Sequence, residues 1–193
     1  MGAVAAAMMM GLTPDDITKG LALIRPVPGR MNILKGIQGT TIIDDTYNSS
    51  PAAAAAALQT LYSLDDAPQR IAVLGDMREL GATSQMEHEK IGAMCDPNML
   101  AWVVTVGPES EKYLAPIARA RGCQVRVARN AIEAGQFVRS VTEDGTAILV
   151  KGSQNTIYLE ECAKILCNMT EDVELVRTVR SEEHTSELQS RTV

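Results

Sequence analysis

A chain of 193 residues can build one full α/β domain with a genuine core, plus a short additional piece. It is 46% hydrophobic but only 3% aromatic, so that core must be aliphatic, drawn from Ala, Val, Ile, Leu and ten Met. The net charge of −6 argues against a general nucleic-acid binder, and there is no apolar run of about 18 residues to span a membrane.

Residues 2–10 read as the end of an apolar helix closed by Gly11, without the basic n-region of a signal peptide. Met8, Met9 and Met10 fall on different faces of that helix, which suits core or the end of a fragment rather than a soft-metal site. Thr13-Pro14-Asp15-Asp16 starts a second helix, running to about residue 24, with Thr as N-cap, Pro at the first position and two acids at the positive end of the dipole. Arg25-Pro26-Val27-Pro28-Gly29-Arg30 then breaks the periodicity. Two prolines and a glycine make a stiff connector, which sets a boundary between a remnant at 1–25 and a domain at 26–179.

From Met31 the chain alternates strand and helix. Strands are expected at 31–37, 40–45, 70–75, 101–106, 124–128 and 146–151, and helices at 51–64, 84–94, 109–120, 131–140 and 155–166. The apolar run at 70–75 fits a central parallel strand covered on both faces. This order predicts an open, doubly wound, mostly parallel sheet with right-handed crossovers, Rossmann-like in class. Residues 180–193 are polar and without hydrophobic period. Their first part resembles the translation of a sequencing-library adapter, so this tail is set aside from the fold, and Glu182, Glu183 and His184 on it are not read as a metal site. Cys95, Cys123, Cys162 and Cys167 lack CxxC spacing and His partners, so they read as reduced, buried thiols of a cytoplasmic protein.

The most informative stretch is Thr41-Ile42-Ile43-Asp44-Asp45-Thr46-Tyr47-Asn48-Ser49-Ser50-Pro51. A β-branched strand ends in two carboxylates, a hydroxyl, a phenol and an amide, and a helix with Ser50 as N-cap and Pro51 at its first position follows. Open α/β sheets bind ligands at such strand ends, and the helix N–H groups suit a phosphorylated or ribose-bearing ligand. Adjacent strand residues point to opposite faces, so Asp44 and Asp45 are not a catalytic dyad and at most one faces the crevice. The blander alternative has one capping a turn and the other solvated. Asn48 either meets a base or ribose or makes an Asx turn, and Arg30 either reaches phosphate oxygens across a cleft or is a surface arginine. The 76–79 loop (Asp76 to Glu79) and Lys151-Gly152-Ser153 are further charged segments at strand ends. With Arg30 and Asp45 they are expected to share a single site. His88 is expected to bond a neighbouring carboxylate rather than act as a base near the crevice, and Trp102 to pack rather than stack on a base. GxxxxGK[ST] and GxGxxG are both absent, so no phosphate-cradling loop is complete in this chain.

Taken in order, Arg25-Pro26-Val27-Pro28-Gly29-Arg30-Met31, Ile43-Asp44-Asp45-Thr46-Tyr47-Asn48 with Pro51, Ala72-Val73-Leu74-Gly75-Asp76-Met77 with Glu79-Leu80-Gly81, and Lys151-Gly152-Ser153 with Glu160 resemble the Mur ligases across residues 2–177. The resemblance implies the C-terminal domain of an ATP-dependent, Mg2+-using ligase of peptidoglycan synthesis, cytoplasmic and monomeric. It also implies two further domains: an N-terminal one for the UDP-sugar, and a central one that carries the P-loop and most of the Mg2+ site and would end at 1–25. Without them this chain would be inactive. By the same resemblance, Arg30 and Asp45 are catalytic, with Arg30 near the ATP γ-phosphate. Asp45, Tyr47 and Asn48 touch the adenosine or orient the closed state, while Lys151, Gly152, Ser153, Asp76 and Glu79 line the side of the incoming amine. The Asp-Asp-Thr-Tyr-Asn motif, with no Asp-Asn-Pro-Arg, favours the type that joins D-alanyl-D-alanine to UDP-MurNAc-tripeptide. Ser49-Ser50 and Gln154-Asn155-Thr156-Ile157-Tyr158 depart from the family pattern. A sibling ligase adding another amino acid, a folylpolyglutamate-synthetase-like enzyme and a stand-alone nucleotide- or partner-binding module are the alternatives.

Overall fold

The computed structural model describes residues 2–23, 27–153 and 157–167. Its first two elements are α1 (Gly2–Met9) and α2 (Pro14–Ala22). Gly11, at φ 84°, closes α1: its N–H donates to Met8 O and that of Leu12 to Ala7 O, the paired bonds of a Schellman end. Thr13 caps α2 in a capping box with Asp16, so both ends of this turn follow from local chemistry. Neither helix buries a side chain, and Met8, Met9 and Met10 are exposed.

The remaining elements are β1 (Asn32–Lys35), β2 (Thr41–Asp45), α3 (Pro51–Tyr62), β3 (Arg70–Gly75), α4 (Ser84–Met94), β4 (Trp102–Val106), α5 (Ala115–Ala120), β5 (Val125–Ala128), α6 (Ala131–Val141), β6 (Ala147–Lys151) and α7 (Glu160–Leu166). The strands form one sheet in the order β1-β2-β6-β3-β4-β5. All pairs are parallel except β1 with β2, where Ile33 faces Ile43 across an antiparallel ladder. This is the expected α/β class. The antiparallel edge arises because the β1–β2 connection is too short for a crossover. It turns through Gln38 at φ 53° and Gly39 at φ 67°.

Alternation along the strands divides the core. Ile42, Ile71, Val73, Ile148 and Val150 pack with α6 and α7, whereas Ile43, Ala72, Leu74 and Leu149 pack with α3, α4 and α5. Full burial of each such Ile or Leu is worth about 1.5–3 kcal/mol, so both faces of the sheet are secured independently. Trp102 packs edge-on against Phe137, with ring centroids 4.9 Å apart. The four cysteines are buried free thiols, as the sequence predicts, and burial pushes that of Cys162 up to about 12.

Two expectations need correction. The helix expected at 109–120 contains a π-helical turn over Ser110–Leu114, where Ala115 N–H bonds Ser110 O. Pro116 follows directly; it lacks an N–H and its ring crowds the carbonyl four residues back, so the ladder widens by one residue. The helix expected from 155 begins at Glu160 instead. Arg25, Pro26, Gln154, Asn155, Thr156 and the 180–193 tail lie outside the described residues.

Candidate functional site

Parallel strands end at one edge of the sheet, and here the winding makes that edge uneven. The chain leaves β2 and β3 toward the face of α3 and α4, but leaves β6, which lies between them, toward the face of α7. Diverging loops on either side of β6 open a crevice, which is the topological switch point of an open α/β sheet. Asp45 and Lys151 are register partners at the ends of β2 and β6.

Both aspartates are buried, so the alternative of a solvated one is overturned. By alternation Asp44 faces α7 and Asp45 faces α3. The Asp44 carboxylate accepts from Gly29 N–H at 3.1 Å and from Thr46 N–H and Oγ1 at 3.3 and 2.7 Å. Burial nevertheless pushes its carboxyl above the ordinary range, the hydrogen bonds only partly opposing it. Asp45 accepts from Met31 N–H at 3.2 Å and forms a 3.1 Å salt bridge to Lys151 Nζ. Lys151 is 1% exposed, and burial lowers its ammonium pKa against the pull of Asp45. Its Nζ also donates to the carbonyls of Asp45 and Asn48.

The connector is fastened to this loop. Tyr47 N–H bonds Gly29 O at 2.9 Å, and the Arg30 guanidinium lies 4.2 Å from the centre of the Tyr47 ring. Arg30 is exposed, and the salt bridges among the described residues do not involve it. Asn48 Oδ1 accepts from Ser49 N–H at 2.9 Å, a local turn, while the residue borders open space. A cleft of about 480 Å³ is lined by Arg30, Met31, Asp45, Asn48 and Ser50 on one side and Ala53, Ala56, Ala57 and Thr60 on the other. Such a volume suits a nucleotide-sized ligand. The exposed guanidinium at its rim suits an anionic group. The α3 residues were missed by sequence reasoning. Their spacing of 3, 4 and 7 on an Ala-rich helix was the available signal, marking one face kept small.

The other expected residues form a neighbouring layer outside the cleft lining. Gly152 N–H bonds Asp45 O at 3.3 Å, and Ser153 Oγ donates to Asp76 O at 2.9 Å. The Asp76 carboxylate accepts from Glu109 and Ser110 N–H at 3.3 and 2.7 Å, capping the helix after β4. Gly107, at φ 108°, allows this: a Cβ there would meet the Asp76 carboxylate at 2.5 Å. Glu79 is exposed at φ 62°. Among the described residues His88 bonds no carboxylate, contrary to expectation. Its Nε2 accepts from Met77 N–H at 3.0 Å and its Nδ1 lies 2.8 Å from Ser84 O, so Nδ1 is assigned the proton and the ring ties the 76–79 loop to α4. Among the described residues no group of three or more His, Cys, Asp or Glu could hold a metal ion.

A family profile described as "Mur ligase, glutamate ligase domain" matches residues 29–154. The UDP-N-acetylmuramoyl-tripeptide–D-alanyl-D-alanine ligase of Bacillus subtilis is 34% identical over 169 residues, covering 86% of this chain and 36% of that protein. MurF from Acinetobacter baumannii superposes with a TM-score of 0.72 at 28% identity, covering 84% of this chain and 35% of that one. The MurF ligase of Thermotoga maritima, solved in complex with ADP, gives a TM-score of 0.68 at 26% identity, again covering 84% of this chain and 35% of that one. The chain thus spans little more than a third of the length of these relatives. It belongs to the Mur ligase family and carries that family's C-terminal domain.

Proposed function

We propose that this chain is the C-terminal part of an ATP-dependent ligase joining D-alanyl-D-alanine to UDP-MurNAc-tripeptide in cytoplasmic peptidoglycan-precursor synthesis. The observation that carries the reading is the meeting of Arg30, Asp45 and Asn48 in one cleft at the switch point, beside an α3 face kept small by Ala53, Ala56, Ala57 and Thr60. The similarity to the Bacillus subtilis ligase points to the dipeptide-adding reaction in particular.

In this reading the tripeptide carboxylate takes the γ-phosphoryl group of ATP, and the dipeptide amine attacks the acyl phosphate with release of inorganic phosphate. Arg30 reaches from the connector and neutralises charge near the transferring phosphoryl group. A preorganised guanidinium does this without reorganising during the step. Asp45, Tyr47 and Asn48 contact the adenosine side or hold the closed arrangement. Gly152, Ser153, Asp76 and Glu79 shape the side from which the amine arrives. Mg2+ would arrive with the phosphates and take its protein ligands from the central domain. The enzyme works as a monomer whose other two domains bind the UDP-sugar and carry the P-loop, residues 1–25 being the end of the second.

The test is phosphate release by the three-domain enzyme containing this domain. Release requiring both ATP and D-alanyl-D-alanine is expected, as is a loss of at least about tenfold in kcat/KM for Arg30→Ala or Asp45→Ala, or roughly 1.4 kcal/mol. Release indifferent to D-alanyl-D-alanine would sink the dipeptide assignment. Unchanged rates in both variants would remove these residues from the site.

A further inference from the structure

Lys151 occupies an unusual place for a charged side chain at a strand end. It is 1% exposed and does not line the cleft, although its register partner Asp45 does. An ammonium has three donors and no acceptor capacity. Here three acceptors surround it: Asp45 Oδ2 at 3.1 Å, Asp45 O at 3.4 Å and the Asn48 carbonyl. All three belong to the end of β2 and the loop leading to α3, so the donors are engaged beneath the cleft and none is left over for a ligand. The main chain adds a clamp, since the next residue, Gly152, donates its N–H to the same Asp45 carbonyl at 3.3 Å. A Cβ at Gly152 would meet the Leu159 side chain at 2.7 Å, so the chain beyond Lys151 is held close under α7.

We propose that Lys151 is a positioning residue of the nucleotide cleft: from below, it aims the Asp45 carboxylate and anchors the Asn48 main chain, and it does not touch the incoming amine. The proposal rests on the ligase reading above for its kinetic consequences, but its structural consequence stands apart from that reading. A lysine bound to the amine substrate would act on the KM for the dipeptide. One that sets the 45–48 loop acts on ATP. Because Lys151 works through Asp45, losing both side chains should cost less than the product of the two separate losses.

The experiment compares Lys151→Met, Asp45→Asn and the double variant in the three-domain enzyme. It measures kcat and the KM for ATP and for D-alanyl-D-alanine, and the hydrogen exchange of the Tyr47 and Ser49 amides without substrate. Lys151→Met is expected to lower kcat/KM for ATP by about tenfold and to leave the KM for D-alanyl-D-alanine within about twofold. Both amides, bonded to Gly29 O and Asn48 Oδ1 in the parent, are expected to exchange faster. The double variant should fall short of the multiplied single losses. A raised KM for the dipeptide with ATP unaffected, or unchanged exchange, overturns the proposal. If Lys151→Met leaves too little folded enzyme, the double variant removes the unpaired buried carboxylate and is read against Asp45→Asn by the same ATP-versus-dipeptide split. If the parent enzyme releases no dipeptide-dependent phosphate, the ligase reading has failed, and the exchange rates still decide whether Lys151 anchors the loop.

Discussion

An aspartate ends β2 and another directly follows β3, and the two carboxylates have different fates. Asp45, at the end of β2, is paired with a buried lysine and borders the cleft. Asp76, one residue past β3, accepts two N–H groups at the start of the helix after β4 and supports Ser153 through its carbonyl. The difference lies in what the neighbouring strand brings. β6 contributes Lys151 in register beside Asp45, whereas β4 delivers Gly107 and a helix N-terminus, whose partial positive charge takes up the Asp76 carboxylate. Of these two carboxylates, the one that borders open space is therefore the one whose register partner is a buried lysine.

The β2 side is expected to respond most strongly to substitution. Lys151→Ala leaves the Asp45 carboxylate buried without its charge partner, and losing one member of a buried pair costs about 3–5 kcal/mol. Urea unfolding should show that loss. A change below about 1 kcal/mol would mean the pair is solvated in solution and that the two aspartates are alike.

On the other side, Asp76→Ala removes a helix cap and should cost about 1–2 kcal/mol in the same assay. Gly107→Ala should match or exceed it, because the new Cβ collides with that carboxylate at a φ of 108°. If Gly107→Ala were neutral, the close approach of Asp76 to this turn would be wrong. Arg30→Ala should act in the opposite way to Asp76→Ala. Arg30 is exposed and stacks on Tyr47, so its loss should cost no more than about 1 kcal/mol of stability while activity falls as proposed above. A large stability loss would make Arg30 a fastener of the connector instead of a ligand group.

How much of this was legible beforehand depended on whether the signal was local. The run at 70–75, the caps at Thr13 and Ser50 and the end at Gly11 were readable because periodicity and capping are properties of a few neighbouring residues. The π-turn leaves no local signature beyond Pro116, which announces a disturbed ladder without fixing its form, because the outcome depends on what the helix packs against. His88 was misassigned for the same reason: its partner, the Met77 N–H, comes from a loop that only tertiary packing brings near. The burial of Lys151 was beyond pattern reading, since it follows from the insertion of β6 between β2 and β3. Arg30, Asp45 and Asn48 stand out in the sequence by residue type and by their place at a strand end or connector, whereas the opposite wall of Ala53, Ala56, Ala57 and Thr60 is mostly apolar and gives no such signal.

The smallest effect concerns Asp44, which lies behind Asp45 on the other face and isolates burial from charge pairing. Burial raises its folded pKa above the ordinary 3.8, outweighing the bonds from Thr46 and Gly29. A carboxyl with a raised folded pKa binds its proton more tightly in the native state. Its contribution to stability is therefore complete below the unfolded value and declines as pH rises through the folded one. Asp44→Asn keeps an acceptor for Thr46 but has no proton to lose. The stability of the parent relative to Asp44→Asn should thus be greatest near pH 4 and fall as pH increases toward neutrality, in unfolding curves taken across that range. A difference that grew with pH would mean that the hydrogen bonds dominate and that Asp44, like Asp76, is held by its N–H donors more strongly than burial opposes it.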